Sequence, residues 1–398
     1  MISGDPLVTI VTPSYNQGRF IRATIESVLS QDYPYIEYII VDGASTDETA
    51  RVVEPYLDRL TFISEPDRGQ THAVNKGFAR ARGEIVAWLN SDDLFLPGAV
   101  RLVVEKFKSN PKLGVVYGGG FQIDEEGKVK QRFPYTQHFD LWKLVFTSDY
   151  ILNQSAYFRK AALDAVGPLR EELYYIMDWE ILMRMGVYFE FGYIPDDIGC
   201  LREYGEAKTF TGGVKRIREM RHILREYTGM PYSPAYIVYG LDTYQYVWRA
   251  AIERWPAVFN ALKPLASRVV TKFCHIMIRR ATERGQAWWQ DRWMGPRAYV
   301  MLPQGMGEIT MRGLVPQVPG LREQVLTVRY KGKKILKQRL APGEFEVRFV
   351  PPIYAEETPI FQLTGARRFV FAQTSGSTDY RELSLRLNEF RWSHSSPA

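Results

Sequence analysis

The chain has 398 residues, 45% of them hydrophobic and 24% charged, the composition of a globular protein long enough for two or three domains. Its two cysteines, Cys200 and Cys274, exclude a disulfide framework and a paired-cysteine metal site, and read as plain core residues of a reducing compartment. The net charge of +6 is concentrated in residues 213–295, which carry 14 Lys/Arg against 6 Asp/Glu and five of the nine tryptophans (Trp248, Trp255, Trp288, Trp289, Trp293).

In chain order, LVTIVT (7–12), IEYIIV (36–41), LTFIS (60–64), EIVAWL (84–89) and LGVVY (113–117) are short, nearly continuous apolar runs rich in β-branched residues. Strands covered on both faces have this pattern. The opening MISGDPLVTIVT lacks the basic start and small-residue cleavage site of a secretory signal. Between the first two strands, Phe20, Ile21, Thr24, Ile25, Val28 and Leu29 recur at helical spacing. Ser45 and Glu48 fit a capping box that opens the next helix, and Gly83 stands where the helix within THAVNKGFARAR should stop. Strand and helix alternating in this way predict a parallel sheet with right-handed crossovers. The pattern weakens after Gly120 and continues as a mixture to Gly212. Residues 213–293 read as helical, with Val258, Leu262, Leu265, Val269, Phe273 and Ile276 on one face and no apolar run long enough to span a bilayer. From Pro296 onward, short alternating runs separated by Gly and Pro predict an antiparallel β-sandwich. The expected division is 1–212 for the α/β domain, 213–294 for a basic, Trp-rich helical linker and 295–398 for the sandwich.

Ligands of a doubly wound sheet bind beyond the carboxyl ends of its strands. The segments there are TPSYNQG (12–18), DGAST (42–46), EPDRGQ (65–70) and NSDD (90–93), all polar and three of them acidic. Converging carboxylates are costly unless a cation or hydrogen-bond donors compensate them, so Asp92 and Asp93 suit a divalent cation beside a phosphorylated ligand. Each has a plainer reading as well. Asp-Asp serves as a helix cap or turn, Asp42-Gly43 as a turn, and Tyr15 as a surface aromatic. The Gly-rich dinucleotide fingerprint and the GxxxxGK loop are both missing, which argues against a dehydrogenase and a nucleotide hydrolase.

TPSYNQG, VDGASTDET, SEPDRGQTHAVNKG and GEIVAWLNSDD, in that order, resemble the inverting glycosyltransferases of family 2, which have the GT-A fold. The resemblance covers about residues 6–210 and includes NQSAYFRKAALDAVGPLREELYYIMDWEILMRM (153–185). It implies that Thr12, Ser14 and Tyr15 border the nucleotide base and that Asp42 accepts a hydrogen bond from the base or ribose. Asp67 and Asn75 are implied near the nucleotide and donor sugar. Asp93 is implied as the direct ligand of Mg²⁺ or Mn²⁺, with Asp92 meeting ribose or sugar, and oxygen ligands suit those hard ions. Asp178 stands where the family's general base sits, with Glu180 as its alternative. The reading that Asp178 merely stabilises a helix N-terminus remains open. Some relatives supply a histidine metal ligand shortly after the base, but CLREYGEAKTFTGG (200–213) has none. Arg202, Lys208 and Thr209 could contact the diphosphate, or lie in a solvated loop.

The basic helices suit either an anionic membrane surface or a packed linker, and prolines 231, 234, 256 and 264 favour the linker. Nucleic-acid binding is not expected, because no recognition motif accompanies the basic residues. In the sandwich, Tyr330, Tyr354, Tyr380 or Trp392 could stack on carbohydrate, or the domain could support homo-oligomers. The sequence therefore predicts an inverting, cytoplasmic or peripherally membrane-bound glycosyltransferase. It would use a nucleotide-sugar donor, with uridine favoured by resemblance alone, and extend a glycan or lipid-linked oligosaccharide of a surface polysaccharide. The alternative is a carbohydrate-binding or assembly protein with a degenerate transferase domain.

Overall fold

The structure is a computed structural model that describes residues 4–228, 232–240, 243, 293–294, 297–301, 306–319, 321–330, 333–350, 360–366 and 384–394. In chain order the elements begin β1 (Val8–Ser14), α1 (Gly18–Leu29), β2 (Ile36–Asp42), α2 (Thr49–Val53), β3 (Thr61–Ser64), α3 (Gln70–Arg80) and β4 (Ile85–Trp88). They continue through β5 (Leu94–Phe95), α4 (Ala99–Ser109), β6 (Leu113–Ile123), β7 (Val129–Arg132), α5 (Leu141–Phe146), β8 (Ala156–Arg159), α6 (Lys160–Val166), α7 (Met177–Tyr188), β9 (Glu190–Arg202), α8 (Lys208–Thr211) and α9 (Gly213–Thr228). Eight strands follow: β10 (Trp293–Met294), β11 (Arg297–Met301), β12 (Met306–Val315), β13 (Gln324–Tyr330), β14 (Lys333–Leu340), β15 (Gly343–Phe349), β16 (Ile360–Gly365) and β17 (Leu385–His394). The chain divides into two compact units, residues 1–139 with 150–211, and residues 140–149 with 212–398.

The first unit is α/β, as its sequence predicts. Its nine-stranded sheet runs β3-β2-β1-β4-β8-β6-β9-β5, with β7 paired to β6. The β3-β2-β1-β4 part is parallel, so the carboxyl ends of these strands share one rim. Beyond β4 the sheet becomes mixed: β8 is antiparallel to β4 and β6, and β9 runs parallel to β6. β1 is buried along its whole length, and α1 covers it with Phe20, Ile21, Thr24, Ile25 and Val28. Each such Val or Ile contributes about 1.5–3 kcal/mol by leaving water.

Two local expectations are corrected. Ser45 does not cap a helix, because its hydroxyl donates to Asp42 Oδ1 at 2.5 Å, and α2 starts only at Thr49 without a side-chain cap. Asp47, just before the Glu48 cap position, accepts from the backbone N–H groups of Thr49 and Gly18 and so ties this turn to the start of α1. Gly83 does not end α3, which stops at Arg80 with Ala81 as its cap. A Cβ on Gly83 would lie 2.6 Å from the Thr9 backbone nitrogen, so glycine is required there for close approach to β1.

In the second unit, α9 buries Ile217, Met220, Ile223, Leu224 and Tyr227, and residues 234–240 are helical. The rest of the expected helical segment, including the face from Val258 to Ile276, Cys274 and four of its tryptophans, lies outside the described residues. The antiparallel expectation holds for the C-terminal region: β10-β17-β12-β15 and β11-β16-β13-β14 form two four-stranded sheets. Their inner faces supply Ile309, Met311, Val347, Leu385 and Leu387 from one sheet, and Leu326, Val328, Tyr330 and Leu363 from the other. Tyr330 is therefore a core residue and no stacking platform. Tyr354 and Tyr380 lie outside the described residues.

Two expected outcomes test this packing. Ala44 sits at φ 60°, in the left-handed region; an L-residue there costs about 1–2 kcal/mol, so Ala44→Gly should raise stability by about 1 kcal/mol in urea titration. A Cβ on Gly77 of α3 would come within 2.3 Å of Val11 Cγ1 on β1. Gly77→Ala should therefore cost about 1–3 kcal/mol, part of which Val11→Ala should restore.

Candidate active site

The rim is assembled from the loops after β1, β2, β3 and β4, together with the amino end of α7 and the segment after β9. The first two loops interlock. Asn16, at φ 52°, accepts the Thr46 N–H through Oδ1 at 2.9 Å, and its own N–H donates to Ser45 Oγ at 2.8 Å. Asp42 lies beneath them, fully buried, with Oδ2 accepting from Ser45 N–H and Ser64 Oγ. Ser14, paired in register with Asp42, is buried and its hydroxyl has no partner. Tyr15 is 61% exposed beside Gly43, and the Asp67 carboxylate lies against the same glycine. Glycine at 43 lets both side chains close on the loop, since a Cβ there would stand 2.9 Å from Asp67 Oδ2 and 3.2 Å from the Tyr15 ring.

The acidic pair divides by environment. Asp93 is 1% exposed, and three protein donors fill its carboxylate: Arg202 N–H at 2.8 Å on Oδ1, and the amides of Asn90 and Gln154 on Oδ2. Thr24 closes the turn by donating to the carbonyls of Ser91 and Asp93. Burial and the neighbouring Asp92 push Asp93 up to about 8. Asp92 is half-buried and accepts from Tyr204 Oη at 2.8 Å on Oδ2; burial pushes it upward too. A cation could reach Asp92, whereas coordination by Asp93 would break donor contacts that nothing else satisfies.

A hydrogen-bonded line continues across the rim. Asn90 Oδ1 accepts from Gln70 Nε2 at 2.7 Å, and Gln70 Oε1 accepts from Lys208 Nζ at 2.6 Å. Lys208 also sits 3.8 Å over the ring of Tyr174. Thr71, next to Gln70 in the first turn of α3, donates to the Leu173 carbonyl and to Met177 Sδ, the first residue of α7. Asp178 follows, half-buried, its Oδ1 accepting the Trp179 N–H at 2.8 Å. The acids after β4 and at the start of α7 thus belong to one connected edge.

Other expected site residues serve the framework. Thr12 is buried and hydrogen-bonded to Tyr38 Oη at 3.0 Å. Asn75 spends both ends of its amide on the backbone of Leu169. Glu180 is fully buried and ion-paired at 2.8 Å with Arg184, whose guanidinium also donates to the carbonyls of Val166, Gly167 and Pro168. A carboxylate so enclosed cannot meet an incoming alcohol. Arg202 donates through its guanidinium to the carbonyls of Asp92, Asp124 and Glu125 and lies 4.9 Å over Phe20, so it braces the rim. The side chain of Thr209 lies outside the described residues.

Sequence reasoning missed Gln154, Tyr204, Gln70 and Arg19. Arg19 lies over the rings of Phe20 and Tyr204 and pairs with Glu125 and Glu206. Gln70, Gln154 and Tyr204 lie within the quoted EPDRGQ, 153–185 and CLREYGEAKTFTGG stretches, whereas Arg19 falls just past TPSYNQG and outside all of them.

No group of three or more His, Cys, Asp or Glu side chains able to hold a metal occurs among the described residues. That suits Mg²⁺ or Mn²⁺ only as an ion held jointly by one carboxylate, substrate phosphates and water, a habit of these hard cations. Asp92 fits that role.

Residues 9–165 match the family model described as glycosyl transferase family 2. Among curated relatives, a putative teichuronic acid biosynthesis glycosyltransferase, TuaG of Bacillus subtilis (strain 168), is 42% identical over 97 residues, 23% of this chain and 38% of the relative. Chondroitin synthase of Escherichia coli is 35% identical over 127 residues, 31% of this chain and 18% of the relative. The first relatives matched are covered over only 18–21% of their own length. Among solved structures, S. aureus TarS 1–349 in complex with UDP-GlcNAc aligns with TM-score 0.45 and 18% identity, over 55% of this chain and 65% of that one. The mannosyltransferase PcManGT from Pyrobaculum calidifontis, in complex with GDP-Man and Mn²⁺, aligns with TM-score 0.44 and 18% identity, over 70% and 86% of the two chains.

The two acids of α7 should separate by experiment. Glu180→Gln should destabilise the fold by about 3–5 kcal/mol, since it strands the buried Arg184 charge. Asp178→Asn should change urea stability by no more than about 1 kcal/mol, the size of a helix-terminal charge effect.

Proposed function

We propose that this chain, through its family 2 glycosyl transferase domain, moves a sugar with inversion from a uridine diphosphate donor to a glycan or lipid-linked acceptor during surface polysaccharide synthesis. The observation that carries the reading is the unequal treatment of the rim acids. Asp42, Asp93 and Glu180 are buried, while Asp92 and Asp178 are only partly buried and stand on the same rim. The names of the relatives, a chondroitin synthase and a teichuronic acid biosynthesis enzyme, support polysaccharide as the product class.

On this reading the ring of Tyr15 stacks on the base, and the unpartnered Ser14 hydroxyl with Asp67 supplies polar contacts to the nucleoside. Asp42 acts at one remove: by holding Ser45 and Ser64 it fixes the loop that forms the floor of the base site. Asp92 is the residue that would hold Mg²⁺ or Mn²⁺, which when bound neutralises charge building on the leaving diphosphate. Lys208, oriented by Gln70 and Tyr174, adds a cationic side chain on the same side. Asp178 takes the proton of the acceptor hydroxyl as it attacks the anomeric carbon from the face opposite the diphosphate, and a single displacement inverts that centre. The Trp179 N–H holds one Asp178 oxygen and leaves its carboxylate oriented.

Without a helix able to cross a bilayer among the described residues, attachment to a membrane would be peripheral, and we place the reaction on the cytoplasmic side, where nucleotide-sugars are made.

A thermal-shift panel of nucleotide-sugars with Mg²⁺ or Mn²⁺ tests donor binding. A true donor at a hundredfold excess over its Kd should stabilise the protein by about 2.7 kcal/mol. Asp92→Asn should remove the metal-dependent part of that gain. Asp178→Asn should keep the gain and lower the transfer rate by about 10²- to 10⁴-fold, the usual contribution of a general base. No stabilisation by any common nucleotide-sugar would defeat the proposal. Unchanged glycan-dependent behaviour in Asp178→Asn would favour a carbohydrate-binding protein with a degenerate domain.

A further inference from the structure

The two sheets of the C-terminal region treat charge on their outer faces differently. On the sheet containing β12 and β15, the register sets Arg312 beside Glu346 and Thr310 beside Arg348, and Glu346 pairs with both arginines at 2.6 and 2.5 Å. That face is compensated. On the sheet containing β13 and β14, the inner positions are Gln324, Leu326, Val328 and Tyr330, all buried. The outer register then sets Val325 beside Arg339, Thr327 beside Lys337 and Arg329 beside Lys334. Lys334, Lys337 and Arg339 are exposed, and Arg329 is half-exposed on the neighbouring interior strand. Among the described residues, the one acid within ion-pair reach is Glu323, 3.5 Å from Arg339. Residues 322–339 carry seven Lys/Arg and a single acid.

We propose that this basic row binds a linear anionic glycan, a polymer bearing carboxylate or phosphodiester groups. The proposal rests on the transferase reading only in naming that polymer as the growing or accepting chain. Neighbouring strands stand about 5 Å apart, and a register shift between Val328 and Arg329 separates Lys334 from Lys337 and Arg339, so the four cations spread along β13 and β14 as a strip for several charged units of an extended polymer. Lysines on an edge strand also guard against edge-to-edge pairing, but that does not account for Arg329, which lies on the interior strand, or for the balanced charges of the other edge strand, β15. A membrane fits less well. Among the side chains described between 307 and 350, Val350 is the one large apolar group that is strongly exposed, whereas surface-bound proteins add apolar insertion to charge. Nucleic acid fits less well too, since Tyr330, the aromatic of β13, is buried and offers bases no stacking surface. A strip that holds the polymer would raise its local concentration at the enzyme.

The full chain, without donor, is titrated with polygalacturonate and with poly(glycerol phosphate), with neutral dextran as control, and affinity is measured across salt concentrations. We expect binding to at least one polyanion and none to dextran, with affinity falling as salt rises. Lys334→Gln/Lys337→Gln should weaken binding by about tenfold or more, and Arg312→Gln/Arg348→Gln, an equal loss of charge on the other sheet, by less than about twofold. The proposal is overturned by absence of binding to both polymers, or by equal losses in the two variants. Tighter binding to anionic lipid vesicles or to oligothymidine, lost in the same Lys334/Lys337 variant, would also overturn it in favour of those ligands. Because no donor or turnover is involved, failure here leaves the transferase reading standing, and failure of donor binding leaves this one standing.

Discussion

A carboxyl group sealed from water must be met by hydrogen-bond partners, and Asp93 organises the rim of the first unit through that demand. Its three donors come from the turn after β4, the segment before β8 and the last residue of β9, which are far apart in sequence. Leaving any of them out would leave a buried polar group without a partner and push the carboxyl higher still, so the three segments are drawn to one point. The remaining architecture of the rim follows. Arg202, fixed by its backbone contact with Asp93, directs its guanidinium onto the carbonyls of three neighbouring residues, and Asn90, fixed by its side chain, passes the order on to Gln70 and Lys208.

The same logic sorts the polar residues of the site into two kinds. Asp42, Asp93, Asn75, Glu180 and Arg202 have their hydrogen-bonding capacity consumed by the protein, and they hold strands, helices and loops in register. Asp92, Asp178, Tyr15 and Asp67 retain surface toward solvent. A preorganised site needs both kinds, because reacting groups keep their geometry only when the residues behind them are locked. Adjacent carboxylates of identical chemistry thus come to serve different ends, and the difference lies in which one the β9 backbone reaches first.

In the second unit charge is arranged along the sheets with comparable economy. One outer face closes its charges within itself through Glu346, and the other leaves a cationic row that Glu323 alone answers among the described residues. Uncompensated like charges at strand spacing repel one another, a cost that a polyanion lying along β14 would relieve.

How far the sequence reached depended on the range of the forces involved. Continuous apolar runs of β-branched residues marked β1 to β4 and the start of β6 nearly to the residue, since burial on both faces is written locally. The alternation of those strands with helices gave the α/β class and the shared rim. The acidic segments at the strand ends pointed to the site, and the family-like order of motifs gave them roles. What the sequence left undecided was every choice made by a distant partner. Ser45 chose between two nearby roles, a helix cap and a bond to Asp42, whereas the carbonyls that take up the Arg202 guanidinium and the donors from Gln154 and Arg202 that enclose Asp93 come from dozens to a hundred positions away. The mixed half of the sheet belongs to the same class, because β9 finds β6 and β5 only in the folded chain. Local pattern determines where strands and helices form; the tertiary structure alone determines which polar groups are spent in holding them together and which remain to do chemistry.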